Sequence, residues 1–145
     1  MIVNGNQNQK HMNRKEFLSQ LGVGGAAVFA AACMQSCAKN GAPSNVDFQL
    51  DLTSSANSAL KTAGGFVVNQ GVIVAFTTSG TYLAVSSACP HEGVQVQFKS
   101  ANNQFVCNAH NSVFGSNGAR ISGPANTGLT QYKTSLTGNI LRVYS

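Results

Sequence analysis

The sequence predicts an all-β domain of antiparallel strands, arranged as a sandwich or a partly open barrel. Three observations predict it. Apolar and polar residues alternate from residue 46 to residue 52, which is the period of a half-buried strand. Short apolar runs then recur between turn signals rich in Asn, Ser and Gly. Finally, no stretch beyond residue 40 has a convincing helical period.

The strands follow in chain order after the alternating stretch at 46–52. Seven more are expected, at residues 65–68, 72–76, 81–85, 94–98, 104–107, 118–121 and 140–144. Residues 54–62 leave room for one helical turn at most. Turn signals separate the later strands, at residues 69–71, 79–80, 102–103, 117–118 and 138–139.

Length and charge exclude several classes of protein. A chain of 145 residues forms one core and is too short for two ordinary domains. Nine Lys and Arg against four Asp and Glu give a net charge of +5, but the cations are scattered, so no nucleic-acid partner is expected. The four carboxylates leave little material for paired-carboxylate catalysis or for an all-oxygen metal site.

Residues 1–37 resemble an export signal. A basic patch at 10–15 precedes an apolar run of 14 residues at 21–34. A membrane-spanning helix needs about 20 apolar residues, whereas a signal needs about 7–15. Met12 opens a conventional leader and is a possible true start. Residues 13–18 resemble the twin-arginine export motif, with Lys15 in place of the second arginine, which leaves the export route open.

Two cysteines near the end of the leader resemble lipidation sites. Cys37 is favoured over Cys33 because it stands where the apolar run gives way to a polar stretch. A lipid there would anchor the protein on a membrane surface. The alternatives are a signal that is simply cleaved, a disulfide, or two inert thiols. Residues 38–45 are expected to form a flexible tether, followed by the folded domain at 46–145.

The remaining soft metal ligands form two close pairs. Cys89 and His91 are two residues apart, Cys107 and His110 are three apart, and fifteen residues separate the pairs. Thiolate and imidazole together select zinc, copper or an iron–sulfur cluster rather than magnesium or calcium.

This Cys-x-His and Cys-x-x-His pattern resembles the Rieske [2Fe–2S] signature. The segment CPHEG at 89–93 resembles the first cluster-binding loop, with Gly93 in its turn. The segment CNAHNSVFGSNG at 107–118 resembles the second loop, with Asn111 where the family usually has Gly. Asn tolerates left-handed backbone geometry, so this departure is mild. Residues 123–125 resemble the proline loop that covers the cluster, and 129–143 resemble the family's last strands.

The resemblance implies a Rieske-type antiparallel β-sandwich with a cluster-binding subdomain formed by two loops. It implies one [2Fe–2S] cluster per chain, with Cys89 and Cys107 on one iron and His91 and His110 on the other. Ser112 occupies the place of a hydroxyl that donates to a cluster sulfur. A second such donor in the family, a tyrosine, is replaced here by Phe114.

The function implied is one-electron transfer, as a carrier or as the Rieske subunit of an extracytoplasmic oxidoreductase. No spare histidine and almost no carboxylate remain for a substrate-activating site, so a redox partner is expected in trans. The protein is expected at the periplasmic or cell-surface side, with a lipid anchor at Cys37 or, second, Cys33. The disulfide that usually joins the two loops of quinol-oxidising members is absent, because Val94 and Ala109 stand in its place.

Two other interpretations remain open at this point. A structural zinc site uses the same two cysteines and two histidines, in an exported lipoprotein with a structural or binding role. A plain β-sandwich binding domain would instead form a disulfide between Cys89 and Cys107, given an oxidising compartment.

Overall fold

The computed structural model describes residues 41–145. The predicted export signal, the possible start at Met12, both candidate lipidation sites and the first residues of the tether lie outside the described residues. Within residues 41–145, no helix is long and apolar enough to cross a bilayer.

The described chain folds into ten strands and one 3₁₀ helix. The helix spans Ser55–Lys61. The strands are β1 (Asp47–Asp51), β2 (Phe66–Asn69), β3 (Val72–Phe76), β4 (Tyr82–Ser86), β5 (Gln97–Lys99), β6 (Gln104–Cys107), β7 (Ser112–Phe114), β8 (Arg120–Ser122), β9 (Gln131–Thr137) and β10 (Ile140–Tyr144).

The strands form two sheets in which every pair is antiparallel, so the all-β prediction is confirmed. The larger sheet has six strands in the order β1-β10-β9-β4-β3-β2, and the smaller has the order β5-β6-β7-β8. The smaller sheet is a meander of consecutive strands. It is inserted into the chain between β4 and β9, which pair directly in the larger sheet.

Strand β3 is buried on both faces and joins two hydrophobic cores, so the expectation of a single core was wrong. Val72 and Val74 belong to a first core inside the six-stranded sheet, with residues of β1 and β10. Ile73 and Ala75 belong to a second core, with residues of the smaller sheet. All four are inaccessible to solvent. The continuous apolar run of β3 therefore reflects its central position, whereas β1 alternates because only one of its faces is covered.

The 3₁₀ helix is longer than the single turn that the sequence predicted. The Ser54 hydroxyl caps it by accepting the N–H of Ala56 at 3.3 Å. Leu60 is its one buried residue, and it enters the first core. The Tyr82 hydroxyl donates to the Leu60 carbonyl at 3.2 Å. The helix forms because one buried leucine and a cap fix it onto the sheet, and a single leucine gives no periodic signal.

Strands β7 and β9 were not expected as separate elements from periodicity. β7 has only three residues, and most residues of β9 are exposed and polar. The family resemblance alone pointed to strands in 129–143. Each strand lies between neighbours that supply its hydrogen-bond partners, which a local pattern does not reveal.

The described end of the predicted tether lies against the larger sheet. The Tyr132 hydroxyl donates to the Pro43 carbonyl at 2.7 Å. The Pro43 ring also lies beside Gly71, where an added Cβ would be 3.4 Å from it. The chain thus contacts the fold before β1 begins.

Two loops approach each other at one end of the smaller sheet. The first loop, Cys89 to Gly93, is closed by backbone hydrogen bonds from Cys89 to Val94 at 2.8 Å and from Gly93 to Cys89 at 2.7 Å. The second loop, residues 108–111, links β6 to β7, where Cys107 and Ser112 are cross-strand partners. Asn111 has a φ of 56°, so the expected left-handed geometry is confirmed.

A third loop, the proline loop at residues 123–125, packs on the second. Gly123 has a φ of 94°, and a Cβ added there would lie 2.4 Å from the Cα of Ser112. The backbone N–H of Ala125 donates to the Ser112 hydroxyl at 3.1 Å. The Arg120 guanidinium donates to the Gly123 carbonyl at 2.6 Å. Glycine is required at 123 because two backbones meet there.

We predict that Gly123→Ala destabilises the domain more than Gly80→Ala does. Gly80 has a similar φ of 82°, but an added Cβ there meets nothing within 4 Å. Gly80→Ala therefore measures only the cost of placing an alanine at a positive φ. That cost is about 1 kcal/mol of unfolding free energy, or a loss of about 4–8 °C in the unfolding temperature. Gly123→Ala adds a backbone clash to that cost. Thermal unfolding followed by circular dichroism measures both, and equal losses would show that the close approach is unimportant.

Candidate metal centre

The two thiols lie together at the buried side of the site. Cys89 and Cys107 are each 1% exposed and belong to the second core. Both are free cysteines, so the structure does not contain the disulfide of the binding-domain alternative. Cys89 is the first residue of the first loop, and Cys107 is the last residue of β6. Backbone hydrogen bonds therefore fix the position of each thiol at the start of a turn.

The two imidazoles lie at the exposed side of the same site. The Nδ1 atoms of His91 and His110 are 3.2 Å apart, and the rings meet edge to face. Two nitrogens about 2.1 Å from one tetrahedral metal ion would be about 3.4 Å apart. The loops therefore already bring the two ring nitrogens to the separation that a shared metal ion requires.

Burial raises the pKa of the Cys89 thiol above its usual range. The backbone N–H of His91 hydrogen-bonds the sulfur and opposes the rise, whereas the neighbouring Cys107 thiol adds to it. The Ser112 hydroxyl also hydrogen-bonds this sulfur and favours the thiolate. A buried thiol of this kind becomes a thiolate when a nearby metal cation compensates the negative charge.

Ser112 connects the proline loop to the thiols. Its side chain is completely buried on β7, opposite Cys107. The oxygen accepts the Ala125 N–H, and the hydroxyl hydrogen remains for the Cys89 sulfur. Phe114, the other residue singled out by the sequence, is also fully buried and packs in the second core.

Glu92 is a site residue that the sequence reasoning missed. One carboxylate oxygen lies 3.6 Å from Nδ1 of His110, and the glutamate side chain is 54% exposed. Ligand atoms of His91, Glu92 and His110 all lie within 4.8 Å of one another. The available signal was its position directly after His91, in a loop that contains no Lys, Arg or Asp.

The structure thus brings together all five residues that the sequence singled out for the site. Two thiols and two imidazoles are the donor set of a Rieske cluster, in which histidines replace cysteines on one of two irons. The separation of the donors into a buried sulfur side and an exposed nitrogen side fits such a two-iron group. A donor set of this kind supports electron exchange at the imidazole side, where the His110 side chain is 45% exposed.

Comparison with known proteins agrees with this geometry. The family model of the Rieske [2Fe-2S] domain matches residues 49–133. The cytochrome b6-f complex iron-sulfur subunit of Chlorobaculum thiosulfatiphilum is 34% identical over 74 residues, which are 51% of this chain and 41% of the relative. The chain therefore spans about two fifths of the length of that curated relative.

Two solved structures are also similar. The plasma membrane Rieske protein of Synechocystis PCC 6803 is 31% identical, with 71% of this chain and 100% of that chain covered and a TM-score of 0.49. The ferredoxin of carbazole 1,9a-dioxygenase from Nocardioides aromaticivorans is 17% identical, with 70% and 98% covered and a TM-score of 0.52. The second likeness concerns the fold alone.

The family match extends from β1 to β9 and includes all three loops. The cofactor is a [2Fe–2S] cluster, and its chemistry is the transfer of one electron. This chain belongs to the Rieske [2Fe–2S] domain family.

Proposed function

We propose that the protein is a one-electron carrier, or the electron-transferring subunit of an extracytoplasmic oxidoreductase. The observation that carries the proposal is the layered donor set, with two thiols at 1% exposure behind two surface imidazoles. A buried sulfur side protects the cluster from solvent. An exposed nitrogen side leaves a short path for an electron to a docked partner.

In this proposal, Cys89 and Cys107 hold one iron, and His91 and His110 hold the other through Nδ1. The 3.2 Å separation of the two Nδ1 atoms supports the histidine half. The hydrogen bonds from the His91 N–H and the Ser112 hydroxyl to the Cys89 sulfur support the cysteine half, since both favour the thiolate. The cluster supplies the redox chemistry, and these residues bind it, orient it and keep its sulfur side dry.

Electron transfer without substrate activation is consistent with the described residues. Within residues 41–145, the one group of three potential metal ligands is His91, Glu92 and His110, which belongs to this site. Only three histidines and four carboxylates occur in the whole sequence. In this proposal, the electron donor and the electron acceptor meet the imidazole side.

We further propose that the protein works outside the cytoplasm, anchored by a lipid at Cys37 or, less favoured, at Cys33. The leader-like composition of residues 1–37 supports export. The name of the curated relative, a subunit of a cytochrome b6-f complex, supports a location at a membrane. A carrier is favoured over a quinol-oxidising subunit because the loops hold Val94 and Ala109 in place of a disulfide.

The ligand assignment predicts that Cys89→Ser and His110→Ala both abolish cluster assembly, because each removes one ligand of an iron. The measurement is the EPR spectrum of the dithionite-reduced protein, together with its iron content and red-brown colour. Asn108→Ala, an exposed change in the same loop as His110, is the control and should retain the spectrum. A full Rieske-type signal in either ligand variant would overturn the assignment, and a colourless wild type would favour the zinc alternative.

One hydroxyl donor, Ser112, is present and the second is replaced by Phe114. We therefore predict a reduction potential in the middle of the Rieske range of about −150 to +300 mV. A hydroxyl that donates to sulfur stabilises the more negative reduced state. Ser112→Ala should therefore lower the potential and Phe114→Tyr raise it, each by tens of millivolts, since ~59 mV corresponds to a tenfold change.

Protein-film voltammetry measures these shifts. Ser86→Ala removes another buried hydroxyl that accepts a backbone N–H, that of Thr130, and it should leave the potential unchanged. Phe105→Tyr adds a hydroxyl on the neighbouring strand and is the second control. An unmoved potential in Ser112→Ala would contradict the role given to this hydroxyl.

The anchor assignment predicts that Cys37→Ser moves the protein from the membrane fraction to the soluble extracytoplasmic fraction. The cluster spectrum should not change, since Cys37 precedes the described domain. Cys33→Ser is the matched control and should leave the protein on the membrane. Release by Cys33→Ser alone would move the anchor to Cys33, and release by neither would refute lipidation at both cysteines.

A further inference from the structure

The three loops around the site carry a single charged side chain besides the histidines. Residues 87–95, 105–114 and 122–128 contain neither Lys, Arg nor Asp, and their one carboxylate is Glu92. The loop segments themselves are therefore nearly free of fixed charge, and Glu92 supplies the one carboxylate among them.

Glu92 lies beside the imidazole side of the site. Its carboxylate is 3.6 Å from Nδ1 of His110, and the two side chains are 54% and 45% exposed. Exposed apolar residues occur in or directly beside the three loops, and they are Pro90, Val94, Ala109 and Pro124. A partner that docks on these loops would exclude water from the carboxylate and strengthen its electrostatic effect.

We propose that Glu92 lowers the reduction potential of the site and selects for a partner that presents a positive charge. The inference rests on the proposed function, since it requires the cluster to be held by the neighbouring histidines. When a reductant gives up one electron, the site gains one negative charge. The carboxylate repels that charge and so disfavours the reduced state.

The expected size follows from Coulomb's law. Two unit charges about 6 Å apart change an equilibrium about threefold even with the dielectric constant of water, and more when partly desolvated. For a one-electron couple, a threefold change corresponds to ~28 mV. Added salt weakens the effect, because the carboxylate is half exposed.

Arg120 is the cation that contacts the same loop cluster. Its guanidinium donates to the Gly123 carbonyl on the proline loop, at 2.6 Å. Glu92 instead approaches His110. The charge of Arg120 has the opposite sign to that of Glu92, but its hydrogen bond to the backbone makes it unsuitable for a clean charge deletion.

The first test is the potential of the cluster-loaded protein at low ionic strength. Glu92→Gln should raise it by an amount equivalent to at least a threefold change in the ratio of reduced to oxidised protein. Glu92→Asp, which keeps the charge, should recover most of the wild-type value. Asp51→Asn removes the same charge from β1 and should leave the potential nearly unchanged.

The second test measures partner charge with two one-electron oxidants, the cation tris(phenanthroline)cobalt(III) and the anion ferricyanide. The reduced wild-type protein should react relatively faster with the cation. Glu92→Gln should lower the ratio of the two rate constants, and Glu92→Lys should lower it further, with the differences fading as salt is added.

The outcomes separate this inference from the function on which it rests. A wild-type protein without a Rieske EPR signal would remove the proposed function. If Glu92→Gln keeps the EPR signal but changes the potential and the rate ratio no more than the control Asp51→Asn does, the role of Glu92 is overturned and the proposed function stands. An intact signal with a raised potential, recovered in Glu92→Asp, would establish that role.

Discussion

The burial of two thiols side by side is the constraint on which this domain depends. Cys89 and Cys107 come from different hairpins, and each is almost inaccessible to solvent. Burial raises the pKa of the Cys89 thiol, and the nearby Cys107 thiol adds to the rise. Without a metal, Cys89 therefore stays neutral and packs as a small apolar side chain. The positive charge of a bound cluster would compensate the thiolates, so cluster binding is coupled to the loss of the thiol protons.

The rest of the fold serves to hold those hairpins in place. β3 and β4 each contribute buried residues to both cores, so these two neighbouring strands fix the larger sheet to the smaller sheet. Ser112 then fixes the third loop, because it accepts the Ala125 N–H and contacts the Cys89 sulfur. Gly123 has no side chain, so the backbone of this loop can pack directly against the backbone at Ser112. A completely buried hydroxyl therefore links loop packing to the electronic environment of the sulfur.

Residue type and spacing predicted the chemistry better than they predicted the strands. The four candidate ligands are recognisable because soft donors are rare in this sequence and occur in two pairs. The left-handed Asn111 was also predictable, since few residues tolerate that geometry. β7 was not predictable from periodicity, because three residues between two neighbours carry no period. Glu92 was missed because its contact with His110 joins two loops that only the folded chain brings together.

The site has a buried sulfur side and an exposed nitrogen side, so we expect electrons to enter and leave through the nitrogen side. The sulfur side faces the second core, where Phe105 and Phe114 exclude water. The nitrogen side faces solvent through His110, with Glu92 beside it and exposed Val94 directly after the first loop. One carboxylate favours the approach of a cation without holding it tightly. Weak, charge-steered contact suits a carrier, because the complex must dissociate after each electron has passed.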